Sequence, residues 1–245
     1  MDLLEELRMI AEGINDPYIF KAVFLAGGPG SGKSFIANHM FAGAGLKFLN
    51  TDLAFEVLLG GRGLSFDIDP KKPLMYKKQM VARDYAKKIT KKREGYWLGG
   101  MLGIVVDGTG KDYDEISKAR KRLEGFGYDT AMVFVNTSLD VAHERNEKRK
   151  RSVPKDVVIK SWNQVQNNMG KFQTLFGGSN FIIVDNNKKL SKKEITQLGS
   201  KLRARAVKWA SKPVKNKIGK NIIDTLKRTG GKTMIDFLAT KPKNK

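Results

Sequence analysis

The chain has 245 residues, 40% hydrophobic and 29% charged, which excludes a disordered polypeptide and suits one α/β domain with a sizeable core. It has no cysteine, so disulfides, thiolate metal sites and a cysteine nucleophile are excluded. The net charge is +21, and residues 191–245 carry 16 Lys/Arg against 3 Asp/Glu, a density that attracts polyanions.

Taken in chain order, Leu3, Leu4, Leu7, Ile10 and Ile14 recur at helical spacing, and Asn15-Asp16-Pro17 ends that segment. The first residues are acidic and lack a signal-peptide pattern. No apolar run approaches the roughly 20 residues needed to span a bilayer. A cytoplasmic location without a membrane partner is the expectation.

Lys21-Ala22-Val23-Phe24-Leu25-Ala26 reads as a short buried strand, followed by a glycine-rich loop and a helix from about Lys33. Lys47-Phe48-Leu49-Asn50 reads as a second strand, and Gly60, Gly61 and Gly63 as a loop. Residues 74–93 form a long basic helix, 102–106 a third strand, 112–125 a helix and 131–135 a fourth strand. Helices follow at about 139–150 and 154–169, with a last strand at 181–184. Strands that are near-continuous apolar runs alternating with helices predict a parallel sheet covered on both faces. Residues 192–208 and 220–228 look helical. The expected organisation is an N-terminal helix (1–17), an α/β nucleotide-binding domain (18–188) and a basic helical C-terminal extension (189–245).

Gly27-Gly28-Pro29-Gly30-Ser31-Gly32-Lys33-Ser34 fits G-x-x-x-x-G-K-[ST] at each defined position and lies between a predicted strand and a predicted helix. Such a P-loop cradles phosphates on backbone N–H groups at a helix N-terminus. Gly28, Pro29, Gly30, Ser31 and Gly32 would line it, Lys33 would reach the β- and γ-phosphates, and Ser34 would ligate Mg²⁺. ATP and Mg²⁺ are the expected cofactors. A dinucleotide loop is disfavoured, because Lys33 stands where the last glycine of G-x-G-x-x-G would be. A GTPase is disfavoured too. Asp107-Gly108-Thr109-Gly110 matches D-x-x-G, but in Asn187-Lys188-Lys189-Leu190 a leucine replaces the base-reading carboxylate.

Asp52 and Asp107 both follow strands, where open parallel sheets bind ligands. Asp52 is the candidate general base for an acceptor hydroxyl, with a helix N-cap as its alternative role. Asp107 is assigned to Mg²⁺, or to the substrate together with Thr109. Arg145 and Arg149 lie four apart in a predicted helix after the fourth strand, so both can close over transferring phosphate.

These features resemble the polynucleotide-kinase and zeta-toxin group of P-loop kinases. The residues that carry the likeness are the P-loop, Asn50-Thr51-Asp52, Asp107-Gly108-Thr109, and Arg145-Asn146-Glu147-Lys148-Arg149 with Val153-Pro154, across roughly residues 20–186. The resemblance implies a five-stranded parallel sheet ordered 2-3-1-4-5, Asp52 as general base and Arg145 and Arg149 as lid arginines. It departs at Phe55, where such enzymes can carry a substrate-binding arginine, and residues 190–245 lack the D-x-D-G-T motif of the phosphatase domain that often accompanies them, so no such domain is expected in them. The Gly108-Thr109 turn also looks like that of zeta toxins, which phosphorylate a nucleotide sugar. The expected activity is transfer of the ATP γ-phosphate to a polynucleotide 5′-hydroxyl. A nucleotide-sugar or small-nucleotide kinase is one alternative, and a non-catalytic ATP-binding, nucleic-acid-binding or virion-associated protein is another.

Overall fold

The computed structural model describes residues 15–41, 43–148, 153–188 and 191–229. The expected N-terminal helix at 3–14 and the C-terminal tail from 230 lie outside the described residues.

Five strands, β1 (Lys21–Ala26), β2 (Lys47–Leu49), β3 (Ile104–Asp107), β4 (Asp129–Asn136) and β5 (Phe181–Asp185), form one sheet in the order β2-β3-β1-β4-β5. Every neighbouring pair is parallel. This is the order that the family resemblance implied. With β1 between β3 and β4, the crevice at the carboxyl ends of the central strands opens directly after β1, where the P-loop lies.

Eight α-helices occur among the described residues. They are α1 (Lys33–Phe41), α2 (Thr51–Gly61), α3 (Pro73–Gly99), α4 (Tyr113–Gly125), α5 (Leu139–Glu147), α6 (Lys155–Phe176), α7 (Lys192–Ala210) and α8 (Lys217–Thr229). Their starts follow local chemistry. Asn50, Asp112, Ser138 and Ser191 cap α2, α4, α5 and α7 through their side chains, and Ser191 and Glu194 complete a capping box. Pro73 occupies the first turn of α3, where its missing N–H costs nothing.

Strand side chains alternate between faces, so the continuous apolar runs feed two cores. Val23 and Leu25 of β1, Val133 and Val135 of β4, and Ile182 and Val184 of β5 point to one core, covered by Ile36 and Met40 of α1. Phe24, Ile104, Met132, Phe134 and Phe181 point to the other, covered by Leu123 of α4 and Val165, Phe172 and Phe176 of α6.

Residues 191–229 contribute to both layers. Leu202, Ala206 and Ala210 of α7 are buried in the first core and Leu226 of α8 in the second. The base of the sheet fastens this segment. Asp129 pairs with Lys21 Nζ at 2.7 Å and accepts the backbone N–H groups of Lys215 and Asn216 at 2.9 Å each. The boundary at 189 therefore marks a change in surface charge, while the packing runs on through it. Helices α2 and α3 form a hairpin between β2 and β3, with a small core of its own from Phe55, Leu59, Ala82 and Ala86. No helix among the described residues is long and apolar enough to cross a membrane.

Candidate active site at the carboxyl edge of the sheet

β1 runs straight into the glycine-rich loop, and α1 begins at Lys33. Gly30 and Gly32 have φ of 77° and 80°, a left-handed conformation that favours glycine. A Cβ on Gly30 would overlap the Ala142 carbonyl oxygen of α5, and one on Gly32 would overlap the Asn186 side-chain amide. The loop is thus held between α5 and the end of β5. Gly28 lies against the backbone of Trp162 on α6. Pro29 is half-buried in the same turn. The Ser31 hydroxyl is buried with no hydrogen-bond partner among the described residues, and its carbonyl accepts Asn186 Nδ2 at 2.7 Å. Ser34 is exposed in the first turn of α1.

Lys33 Nζ lies 2.6 Å from Asp107 Oδ1, and Asn50 Nδ2 donates to Asp107 Oδ2 at 2.5 Å. Asn50 Oδ1 in turn accepts the N–H of Leu53 at 2.8 Å, which caps α2. One asparagine therefore ties the carboxylate at the end of β3 to the helix that carries Asp52. The cap role considered for Asp52 belongs to Asn50. An Asx side chain caps the N–H two or three residues ahead, and Asp52 already lies in the first turn, exposed. Thr109 is exposed, and its carbonyl accepts the Gly27 N–H at 2.9 Å, which joins the β3 turn to the base of the P-loop.

Arg145 sits in the last turn of α5, where Nη1 donates to the Asn186 carbonyl at 2.8 Å. It also approaches the Cβ direction of Gly32, so Arg145 is at the phosphate loop. The helix expected to carry both arginines ends at Glu147, and Arg149 lies outside the described residues. Asn146 exchanges two hydrogen bonds with the backbone of Val153, 2.8 Å from Nδ2 and 3.1 Å to Oδ1.

The residues that sequence reasoning passed over are mostly asparagines. Asn50 and Asn186 lie inside quoted motifs or beside them, yet their partners are 57 and 155 residues distant, so no local pattern marks them. Asn187, set in the guanine-motif comparison, has a structural role: its Oδ1 accepts the Ser138 N–H at the start of α5.

The donor set fits a nucleotide with a divalent cation. Two positive-φ glycines, Lys33 and the exposed Ser34 hydroxyl meet at a helix N-terminus, with an unpartnered Ser31 hydroxyl in the loop. No group of three or more His, Asp or Glu could hold a metal alone among the described residues. That suits Mg²⁺, which takes one or two protein oxygens plus phosphates.

A family model described as an AAA domain matches residues 23–172. The chain is a member of the AAA domain family. The matched segment of this AAA domain protein starts inside β1 and ends in α6, enclosing the site just described. Among solved structures it is similar to the AvrRxo1-ORF1:AvrRxo1-ORF2 complex with sulphate ions (15% identity, covering 89% of this chain and 86% of that one, TM-score 0.52). The same pair with ATP is 13% identical, with 89% and 88% covered and a TM-score of 0.51. The PezAT toxin–antitoxin system of Streptococcus pneumoniae matches at 16% identity, 84% and 94% coverage and a TM-score of 0.49. Shikimate kinase from Bacteroides thetaiotaomicron matches at 14%, 75% and 97%, with a TM-score of 0.46. No curated protein sequence matches this AAA domain protein. Its fold is a P-loop kinase-like α/β fold.

Proposed function

We propose that the protein transfers the γ-phosphate of ATP to the 5′-hydroxyl of a polynucleotide. The observation that carries the reading is the bonded chain Lys33–Asp107–Asn50, which runs from the phosphate loop to the helix whose first turn holds Asp52. A triphosphate offers Lys33 a more highly charged partner than Asp107, so Lys33 shifts to the β- and γ-phosphates. Ser34 and Asp107 would hold Mg²⁺, which neutralises charge on the transferring group. Asp52 accepts the proton of the acceptor hydroxyl as its oxygen bonds to phosphorus and the bond to ADP breaks. Arg145 and Arg149 meet the charge on the equatorial oxygens. The basic surface of residues 191–229 supplies sequence-independent attraction for nucleic acid.

One observation favours a second reading, a small polar acceptor such as a nucleotide sugar. A cavity of about 650 Å³ opens between the loop after Thr109 and α6, lined by Lys111, Tyr113, Lys160, Ser161 and Gln164 among others. Its size suits a single small molecule.

The test is transfer from labelled ATP with Mg²⁺ to 5′-hydroxyl oligonucleotides, nucleosides and UDP-sugars, with Asp52→Asn alongside. Label on oligonucleotide ends that vanishes with Asp52→Asn supports the first reading. Label only on sugar nucleotides replaces it with the second. Tight ATP binding with no transfer to any acceptor points to a non-catalytic role.

A further inference from the structure

The α2–α3 hairpin has a small core of its own, and one flank of α3 mixes exposed apolar and basic side chains. Leu74, Lys78, Val81, Tyr85, Lys88 and Lys92 follow one another at steps of four and three residues, so they share a face. That face lies beside the one where Ala82 and Ala86 are buried against Phe55 and Leu59 of α2. All six are exposed, including 78% of Leu74, 55% of Val81 and 52% of Tyr85. Three large apolar groups along one exposed flank, interleaved with cations, form a surface that a partner can cover.

The cations define that partner. The Arg62 guanidinium, just past the end of α2, sits 5.7 Å from the Tyr85 ring centroid. Asp84 pairs with Lys87, so Lys78 and Lys88 keep no ion pair among the described residues. They flank Tyr85 about 15 Å apart at the helical rise of 1.5 Å per residue. An aromatic ring with a cation beside it, between two further cations in one line, matches a strand that offers flat bases and regular phosphates together. A duplex offers phosphates but keeps its bases stacked inside, leaving Tyr85 and Val81 without partners.

We infer that this face of α3 is a stacking platform for single-stranded nucleic acid, with Tyr85 against a base and Lys78 and Lys88 on the backbone. The inference rests on the polynucleotide reading of the acceptor, and it places the strand on the same hairpin that opens with Asp52. It also gives Arg62 a role as the cation that holds the Tyr85 ring and meets phosphate.

The test is equilibrium binding of the full chain to an oligothymidylate with a free 5′-hydroxyl and a 3′-fluorescein label, read by anisotropy. A labelled duplex and vesicles containing anionic phosphatidylserine are run in parallel. Tyr85→Ala should weaken single-strand binding about tenfold, as loss of one stacked base does, and leave duplex binding unchanged. Tyr85→Phe should restore it. Lys78→Gln and Lys88→Gln should each flatten the log–log salt dependence by about 0.7 for a single strand. Tyr85 is exposed, so circular dichroism and melting temperature should stay at wild-type values. Unchanged single-strand affinity in Tyr85→Ala overturns the inference. So does an equal loss for duplex, or a Tyr85-dependent loss of vesicle binding instead. Tyr85-dependent strand binding without any phosphotransfer would refute the catalytic reading and keep the platform. Oligonucleotide phosphorylation with a KM indifferent to Tyr85→Ala would refute the platform and keep the catalytic reading.

Discussion

Substituting Asn50 by serine and by alanine separates two jobs held by one side chain. The oxygen caps α2, and the nitrogen donates to Asp107, whose side chain is only 9% exposed and also meets Lys33. Serine keeps the capping oxygen but is too short to reach Asp107; alanine loses both. A lost N-cap costs about 1 kcal/mol, and a lost hydrogen bond to a charged group costs about 1.5–3 kcal/mol. Asn50→Ser should therefore cost about 2 kcal/mol and Asn50→Ala about 3 kcal/mol, or a fall in Tm of roughly 6–12 °C for the alanine variant in a domain of this size. Circular dichroism melts give the stabilities. Steady-state phosphotransfer gives kcat, which should fall in both variants because Asp107 loses its fixed orientation. ATP affinity should change little, since the loop amides and Lys33 remain. Melting temperatures of both variants within a degree of wild type would refute the argument, because the Asn50–Asp107 bond would then contribute nothing in solution.

Three further outcomes follow from the same geometry. Asp52→Asn should lower transfer by at least about a hundredfold, the usual contribution of a positioned base, with ATP binding and Tm unchanged; equal transfer by the variant would remove Asp52 from the chemistry. Gly30→Ala should abolish nucleotide binding measured by calorimetry and destabilise the fold, because its φ is unfavourable for alanine and its Cβ meets the Ala142 carbonyl. Asp129→Ala leaves the buried Lys21 ammonium without its carboxylate and frees two backbone N–H groups, so denaturant unfolding should show a loss of about 3–5 kcal/mol.

The strand–loop–helix unit around Lys33 was legible because its signals are local. A buried apolar run, a fixed glycine spacing and a helix start fall within 21 consecutive residues, from Lys21 to Phe41. β3 and β4 were legible for the same reason, since burial on both sides leaves uninterrupted Val, Ile and Phe, whereas the edge strands β2 and β5 carry the signal more weakly. The order of those strands is a long-range property and came from family resemblance. The packing of α7 was hidden by charge. Leu198, Leu202, Ala206 and Trp209 form its apolar stripe, but the Lys and Arg residues between them dominate the composition. The helix after β2 ran through Gly60 and Gly61, which had suggested a loop, because Phe55 and Leu59 anchor it on α3. In the site, Lys33, Asp107 and Arg145 announced themselves by motif. Asn50, Asn146 and Asn186 did not, because an amide that bridges distant backbone has no periodic signature.

The place of α7 in the first core has a consequence for synthesis. Ile182 and Val184 complete the strand side of that core, yet Leu202, Ala206 and Ala210 arrive only later in the chain. A growing polypeptide that has emerged through β5 therefore still presents Val23, Leu25, Val133 and Val135 with part of their cover missing. α1, the helix that starts at Lys33, is seated on the same incomplete layer. The phosphate loop should thus become rigid only after α7 has left the ribosome, and a chain stopped before Leu202 should expose the apolar side of α1.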